Sequence, residues 1–391
     1  MARARVSDME PVAGQRMVID ARWVFRELSG IGRYTLELLR ALGALETERE
    51  FVVLVADEER REAVLEATGL AGDERFKFVE FGYGVFSPGG QMAAGGLLRR
   101  LGAGGYHSPN YMIPLPAFPR RGRRVRCMIN IHDLIPLAHP EFTPRAWKTR
   151  LYPVYRWLMR EIVRRVDVVV TGSQSAKRDI IEWLKVPEER IAVIPDGVNE
   201  RYVPGGEKLA AGGRKTILYV GRSDPYKNVT GLVRTLAELV RGEVDARLRI
   251  VGPPDPRYPE AGELARQLGI DERVEWAGYL DEAELVRAYQ EADALALLSK
   301  YEGFGLPVLE AMACGTPVVC SRVASLPEVA GEAARLVEPE DAAGAAAALK
   351  EVLTVPAVAA RMRAAGLEQA ARFPWRHTAE MTLALYDGRL P

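Results

Sequence analysis

The sequence predicts an α/β protein with two doubly wound parallel sheets, and three observations lead there. Short apolar runs of strand length alternate with amphipathic helical stretches along most of the chain, the pattern of helices covering both faces of a parallel sheet. The alternation is interrupted at YVPGGEKLAAGGR (Tyr202–Arg214), which has a proline, four glycines and no apolar periodicity. With 391 residues the chain is also long enough for two cored domains.

In the first series RMVIDAR (Arg16–Arg22) reads as a strand and Trp23–Arg33 as a loop ending in SGIGR. Tyr34–Leu42 then repeats Tyr34, Leu38, Leu39 and Leu42 at helical spacing. FVVLVA, a helix over EERREAVLEATG and FKFVEF follow. Phe81–Pro119 is rich in glycine and proline; Gln91–Leu101 reads as a helix and the remainder as loop. RCMINIHDL is a strand running into a polar turn. Arg145–Val166 is a long basic helix broken at Pro153. VDVVVTGS, a helix over SAKRDIIEWL capped near Ser173 or Ser175, and RIAVIPDGV close the half.

The second series opens with TILYVGR and continues with a helix through Leu239, RLRIVGP, a helix near Glu260–Leu268, RVEWAGYL and a helix near Glu282–Ala292. DALALL is then a buried strand leading into SKYEGFGLPVLEAMACGTPVVCS (Ser299–Ser321). Pro307 suits the first turn of a helix, Gly315 its C-terminal stop, and TPVVC the next strand. A strand near Arg335–Val337, two alanine-rich helices (Asp341–Leu353, Ala357–Arg372) and a terminal helix, Trp375–Tyr386, finish the chain. The expected domains are 1–205 and 206–372, Rossmann-like halves facing across a cleft at the C-terminal ends of their strands. Residues 373–391 are expected to cross back to the first half.

Composition excludes several classes. No apolar run approaches the ~18 residues of a membrane span, and MARARVSDMEPVAGQ lacks the apolar core of a signal peptide. Cys127, Cys314 and Cys320 show neither metal spacing nor an even disulfide set, and four scattered histidines argue against a metal cluster. A cytoplasmic protein with reduced, buried cysteines is expected. Net charge is zero but unevenly spread. Residues 1–205 carry 31 basic and 26 acidic residues, and 81–190 carry 18 and 8, which points to anionic partners.

The chemistry concentrates at Ser299–Ser321. Glu302 stands at the mouth of a glycine turn and Glu310 eight residues on. Between them the N–H groups of Gly303, Phe304, Gly305 and Leu306 and the helix dipole form an anion site. An anion between two hydroxyl-seeking carboxylates describes a nucleoside diphosphate sugar; a plain strand–helix turn with two solvated glutamates is the other reading. Gly221-Arg222 ends a strand and Lys227 follows. A forked guanidinium and a compact ammonium suit a diphosphate and would offset charge growing on it as a leaving group, although each could be a surface cation. His132 and Asp133 stand at a strand end, where the histidine could equally cap a turn. PRAWKTRLYPVYRWLMREIVRR places Trp147, Tyr152, Tyr155 and Trp157 among seven basic residues. That face fits either an anionic bilayer or a half-buried helix with solvated cations.

Gly221-Arg222 with Lys227, the Glu302–x7–Glu310 pair in EGFGLPVLEAMACGTPVV, the SGIGR loop and INIHDL together resemble a retaining glycosyltransferase of family 4. The resemblance runs from about Met17 to Tyr386, and its Glu–x7–Glu segment is the most specific part. It implies the GT-B fold and a transfer of a hexose from a nucleoside diphosphate sugar to a glycan or lipid-linked acceptor. It further implies that Glu310 holds the ribose, while Glu302 and the amides after it meet donor sugar and diphosphate. Arg222 and Lys227 would grip the diphosphate, and Gly252, Tyr279 and Leu280 would line the base pocket. Gly30 and Gly32 would let the first loop close on the donor, unless they are turn residues. His132 would hydrogen-bond the sugar; His107 is set aside. No carboxylate in the first half is an obvious nucleophile, which fits the family's front-face route, in which the leaving phosphate itself helps deprotonate the acceptor. No cofactor or metal is implied, because Arg222, Lys227 and the helix dipole already supply positive charge. SGIGRYT, HSPNYMIP and INIHDLIPLAHPEFTP resemble the mannosyltransferase-like branch, whose donor is GDP-mannose, with UDP-linked hexoses next. Location is expected to be cytoplasmic, with possible peripheral contact at the inner face of an anionic membrane and no nucleic-acid partner.

Other classes on such a fold are weaker. An epimerase would want acid–base groups around the anomeric carbon. A phosphorylase would want a lysine for pyridoxal phosphate. A dinucleotide oxidoreductase would want G-x-G-x-x-G directly after the first strand, where SGIGR stands too far on. A non-catalytic sugar-nucleotide-binding module would not need Glu302, Glu310, Arg222, Lys227 and His132 all intact.

Overall fold

The computed structural model describes residues 16–26, 29–143, 147–205, 213–253 and 255–389, with the backbone alone at 147 and 148. The chain divides into two compact units. Unit 1 comprises Met1–Ala138, Leu151–Gly197 and Trp375–Pro391; unit 2 comprises His139–Arg150 and Val198–Pro374.

Unit 1 is a seven-stranded sheet of β1 (Arg16–Asp20), β2 (Phe51–Val55), β3 (Phe76–Glu80), β4 (Ala103–Ser108), β5 (Arg126–Asn130), β6 (Val168–Thr171) and β7 (Ile191–Val193). The order is β3-β2-β1-β4-β5-β6-β7 and the pairings are parallel. Connections therefore reverse direction between β1 and β4, where open α/β sheets place ligands beyond the strand ends. Both faces are covered, so alternate residues of one strand feed different cores. Val18 packs in one with Trp23 and Ile129, whereas Met17 and Ile19 pack in the other with Tyr34, Leu38 and Leu39.

Two expectations for this half are corrected. β4, AGGYHS, lies at the middle of the sheet in a stretch that reads as loop. Its glycines hide the strand pattern, yet a side chain at Gly105 would run into the Met17 thioether on β1. SGIGR is also not a loop: the helix spans Gly30–Gly43, with Ser29 Oγ accepting from Gly32 N–H at 3.2 Å. Glycine's poor helix propensity masks the start, and the serine cap is the signal that marks it. The basic helix breaks at Leu151 into Trp147–Arg150 and Tyr152–Val163, with Pro153 in the first turn of the second. The terminal helix, Trp375–Tyr386, belongs to unit 1. Trp375 meets Tyr34 edge-on at 5.6 Å, and Asp387 pairs with Arg49 at 2.6 Å.

Unit 2 has six strands: β8 (Lys215–Val220), β9 (Ala246–Val251), β10 (Val274–Gly278), β11 (Ala294–Leu297), β12 (Val318–Ser321) and β13 (Ala334–Val337). They run parallel in the order β10-β9-β8-β11-β12-β13, with the reversal between β8 and β11. The crossing from unit 1 falls at Gly197/Val198 rather than near 205. Val198 N–H donates to Phe373 O (2.8 Å), Tyr202 packs on Tyr289 (5.8 Å), and Gln290 donates to Val203 O (2.9 Å). Composition marks this stretch as linker, but its backbone bonds bind its first residues to unit 2; residues 206–212 lie outside the described residues. The three cysteines are buried and unpaired by disulfides. Among the described residues no single helix is long and apolar enough to cross a membrane.

Candidate functional site

In unit 2 the carboxyl ends of three neighbouring strands finish in glycine. Gly221 N–H donates to Val251 O (2.9 Å), and Gly252 N–H to Gly278 O (2.8 Å). Gly252 has φ +153°, and a side chain there would strike the carbonyl oxygen of Gly221. The strand ends thus form a flat backbone ledge that a ligand can approach closely. Tyr279 follows it and is exposed; Leu280 is half-buried.

The loop after β8 is held at several points. Tyr219 Oη donates to Arg222 O (2.6 Å), and Lys300 N–H donates to Tyr226 O (2.6 Å). Asn228 takes a left-handed conformation (φ +55°), which asparagine tolerates better than most residues. Its amide donates to Leu298 O (2.9 Å) and Pro339 O (2.6 Å), fastening the loop to the end of β11. Lys227 is thereby set beside Glu302. Its ammonium lies 2.8 Å from both carboxylate oxygens, and Ser299 Oγ donates to the same carboxylate at 2.6 Å. The pair is largely buried. Arg222 differs: its side chain is 58% exposed and pairs with the buried Asp224 at 3.0 Å.

Glu302 opens the glycine turn as the spacing predicts. Gly305 (φ +105°) precedes the helix Leu306–Ala313, Pro307 lies in its first turn, and Gly315 (φ +71°) follows its end. A side chain at Gly305 would be strained and would meet Leu326. Ser325 Oγ lies 2.9 Å from Glu302 O and 2.8 Å from Phe304 O. It turns those carbonyls toward the interior and fixes the turn whose first helical N–H groups have no carbonyl four residues back. Glu310 is buried on that helix and accepts from Tyr289 Oη at 2.6 Å. Burial and the charge of Glu310 push the neighbouring Cys314 thiol up to about 12.

In unit 1, His132 lies just beyond β5, half-buried. Its Nε2–H donates to Pro109 O (3.0 Å), which leaves Nδ1 as the other ring nitrogen, and Tyr34 meets it edge-on at 5.0 Å. Tyr34 stands on the helix that begins with Gly30 and Gly32, so those three predicted residues belong to one neighbourhood. Asp133 is exposed and accepts from Ile135 N–H (3.1 Å), a turn cap. Burial pushes the Asp196 carboxyl up to about 6, opposed by the charge of His132. His107 is a structural histidine: Nε2–H faces Asn130 Oδ1 and Tyr386 Oη faces Nδ1, each at 2.6 Å, and burial lowers its pKa to about 4.

The structure therefore joins Lys227 to Glu302 at the mouth of the Gly303–Leu306 turn, with Glu310 inside the helix behind it, and turns Arg222 to Asp224. Sequence reasoning missed Ser299, Ser325, Asn228, Asp224 and Tyr289. None carries a motif of its own: Ser299 and Asp224 act on a residue two or three positions away, and Asn228, Tyr289 and Ser325 on residues 21 or more positions away. The expected aromatic face of the basic helix is also divided. Tyr155 is buried, Tyr152 Oη donates to Leu137 O (3.1 Å), Trp157 is exposed, and the side chain of Trp147 lies outside the described residues. Among the described residues no group of three or more histidines, cysteines or acids stands close enough to hold a metal ion.

Two family models match the chain: Glycosyltransferase Family 4 over residues 28–202 and Glycosyl transferases group 1 over residues 206–369. The chain is 28% identical over 386 residues to the O-antigen chain mannosyltransferase B of Escherichia coli, covering 92% of this chain and 96% of that one. It is 34% identical over 253 residues to the MMP alpha-(1->4)-mannosyltransferase of Mycolicibacterium hassiacum, covering 62% of this chain and 60% of that one. In three dimensions it is similar to a sucrose-phosphate synthase from Thermosynechococcus elongatus. There the TM-score is 0.74 at 20% identity, over 95% of this chain and 98% of that one. At that identity the structural likeness speaks for the fold.

Proposed function

The chain belongs to the group 1, family 4 glycosyltransferases, and on that premise we propose that it is a retaining hexosyltransferase that moves mannose from GDP-mannose to a glycan or lipid-linked acceptor. The observation that carries the reading is the Lys227–Glu302 pair, fixed by Ser299 at the entrance of the Gly303–Leu306 turn. An ammonium and helix-terminal N–H groups converge there on the space a diphosphate needs. Glu302 neutralises the lysine in the structure; a bound diphosphate would compete for the ammonium and release the carboxylate toward the sugar hydroxyls. Glu310, oriented by Tyr289, holds the ribose, and Tyr279 offers an aromatic face for the base.

In the transfer the bond from the anomeric carbon to the leaving phosphate breaks as the acceptor oxygen attacks from the same face. The acceptor proton passes to the departing phosphate oxygen. Lys227 and Arg222 stabilise the charge that grows there, and His132 supplies a hydrogen bond to the transferred hexose. Mannose is favoured because two relatives are named mannosyltransferases. The reading needs no metal. A thermal-shift screen of GDP-, UDP-, ADP- and dTDP-sugars in EDTA tests it, since the true donor stabilises the folded state through linkage. GDP-mannose should raise the melting temperature most. A larger shift with a UDP-sugar would replace the donor, and a product of inverted anomeric configuration by NMR would reject the retaining route.

A further inference from the structure

The helix Tyr152–Val163 turns an amphiphilic face to solvent. Pro153, Trp157, Arg160 and Arg164 follow one another at i, i+4, i+7 and i+11, so they form a single stripe. Trp157 is 61% exposed, and Leu151 and Val154 beside it are more than half exposed. At the C-terminal end of the stripe opens a cavity of about 430 Å³. Its floor is apolar, made by Val163, Leu184 and Val186, and its rim carries Arg160, Arg164, Lys185 and Arg190 without a carboxylate. Arg190 is committed to backbone, donating to the carbonyls of Val163 (2.8 Å), Val166 and Asp167 (3.2 Å). Arg164 reaches Glu161 at 3.1 Å. Arg160 and Lys185 have no carboxylate partner among the described residues. Of the acids nearby, Glu188 pairs with Lys177 (2.9 Å) and Glu161 also with Arg120 (2.5 Å), and neither these nor Glu182 and Glu189 line the cavity.

We propose that this face docks on an anionic phospholipid bilayer, with Trp157, Val154 and Leu151 in the interface and a lipid phosphate seated between Arg160 and Lys185. Aromatic and aliphatic side chains on one helix face, with Arg160 on that face and Lys185 beside its end both lacking a carboxylate partner among the described residues, are what an interfacial helix needs. Charge selects the occupant, because cations without acids at the rim match an anionic head group, and residues 81–190 carry 18 basic against 8 acidic residues. The apolar floor suits the glycerol and first methylenes behind the phosphate. None of these residues belongs to the donor site, so the proposal stands apart from the sugar chemistry.

The test is sedimentation of the full chain with vesicles of phosphatidylcholine alone or mixed with phosphatidylglycerol, at low and high salt. Binding should require phosphatidylglycerol and fall with salt. Arg160→Ala with Lys185→Ala should weaken it about fivefold per charge removed, and Trp157→Ser should weaken it in both salts, with circular dichroism and melting unchanged. Equal binding to neutral vesicles, no binding at all, or variants that bind like the parent would overturn the proposal. So would sedimentation velocity showing a dimer that Trp157→Ser dissociates, since the face would then join two copies of the chain.

Discussion

Tyr289→Phe probes the link between packing and function most directly. It removes one oxygen, the donor 2.6 Å from the buried Glu310 carboxylate, and leaves the ring against Tyr202. Hydrogen bonds to charged groups contribute about 1.5–3 kcal/mol, and both partners are buried, so solvent cannot replace the lost donor. We expect a loss of about 2 kcal/mol in unit 2. For a unit of this size that lowers the melting temperature by roughly 4–8 °C. If Glu310 holds the ribose, a carboxylate freed from Tyr289 should also bind GDP about three- to tenfold more weakly, or 0.7–1.4 kcal/mol. Differential scanning fluorimetry and isothermal titration calorimetry read the two effects. A double-mutant cycle with Glu310→Gln isolates the pair, whose coupling should be about 1 kcal/mol or more. Unchanged melting and GDP affinity in Tyr289→Phe, or strict additivity in the cycle, would refute the reasoning.

Lys227→Ala should lower turnover far more than donor affinity and also cost about 2–3 kcal/mol, because it strands the largely buried Glu302 with Ser299 alone. Arg222→Ala should lower turnover with the melting temperature nearly unchanged, since its side chain is mostly exposed; full turnover in both variants would remove the diphosphate role. Gly252→Ala should destabilise unit 2 by several kcal/mol, seen as a lower urea midpoint, because its methyl has no space before Gly221 O. His107 has its folded pKa depressed from 6.5 to about 4 by burial. Its contribution is therefore complete above pH 6.5 and is lost as pH falls toward 4, by about 3 kcal/mol. Urea titrations of His107→Gln across that window should show this part of the pH slope gone, whatever the variant's absolute stability.

Much of the donor site could be read from residue order because its parts are local. Glu302, Gly305, Pro307, Glu310 and Gly315 lie within one strand–turn–helix, and their spacing alone fixes which can cap, which can turn and which share a face. The alternation of strands and helices was legible for the same reason: burial on both faces requires continuous apolar runs. What hid were elements whose residues contradict local propensity. β4 is strand because the sheet closes around Gly105, and the helix at Gly30 starts with two glycines because Ser29 caps it.

By itself, then, the sequence determined the class of fold and the chemistry of the glycine turn, since backbone preference and residue spacing act over a few positions. Only the tertiary structure decided that Lys227 neutralises Glu302 while Arg222 turns to Asp224, that Tyr289 and Ser325 orient the turn, and that unit 1 takes up the last helix. Apart from the local Arg222–Asp224 pair, those outcomes depend on hydrogen bonds and packing between residues 21 to more than 300 positions apart, which no local pattern encodes because they exist only once the strands lie side by side.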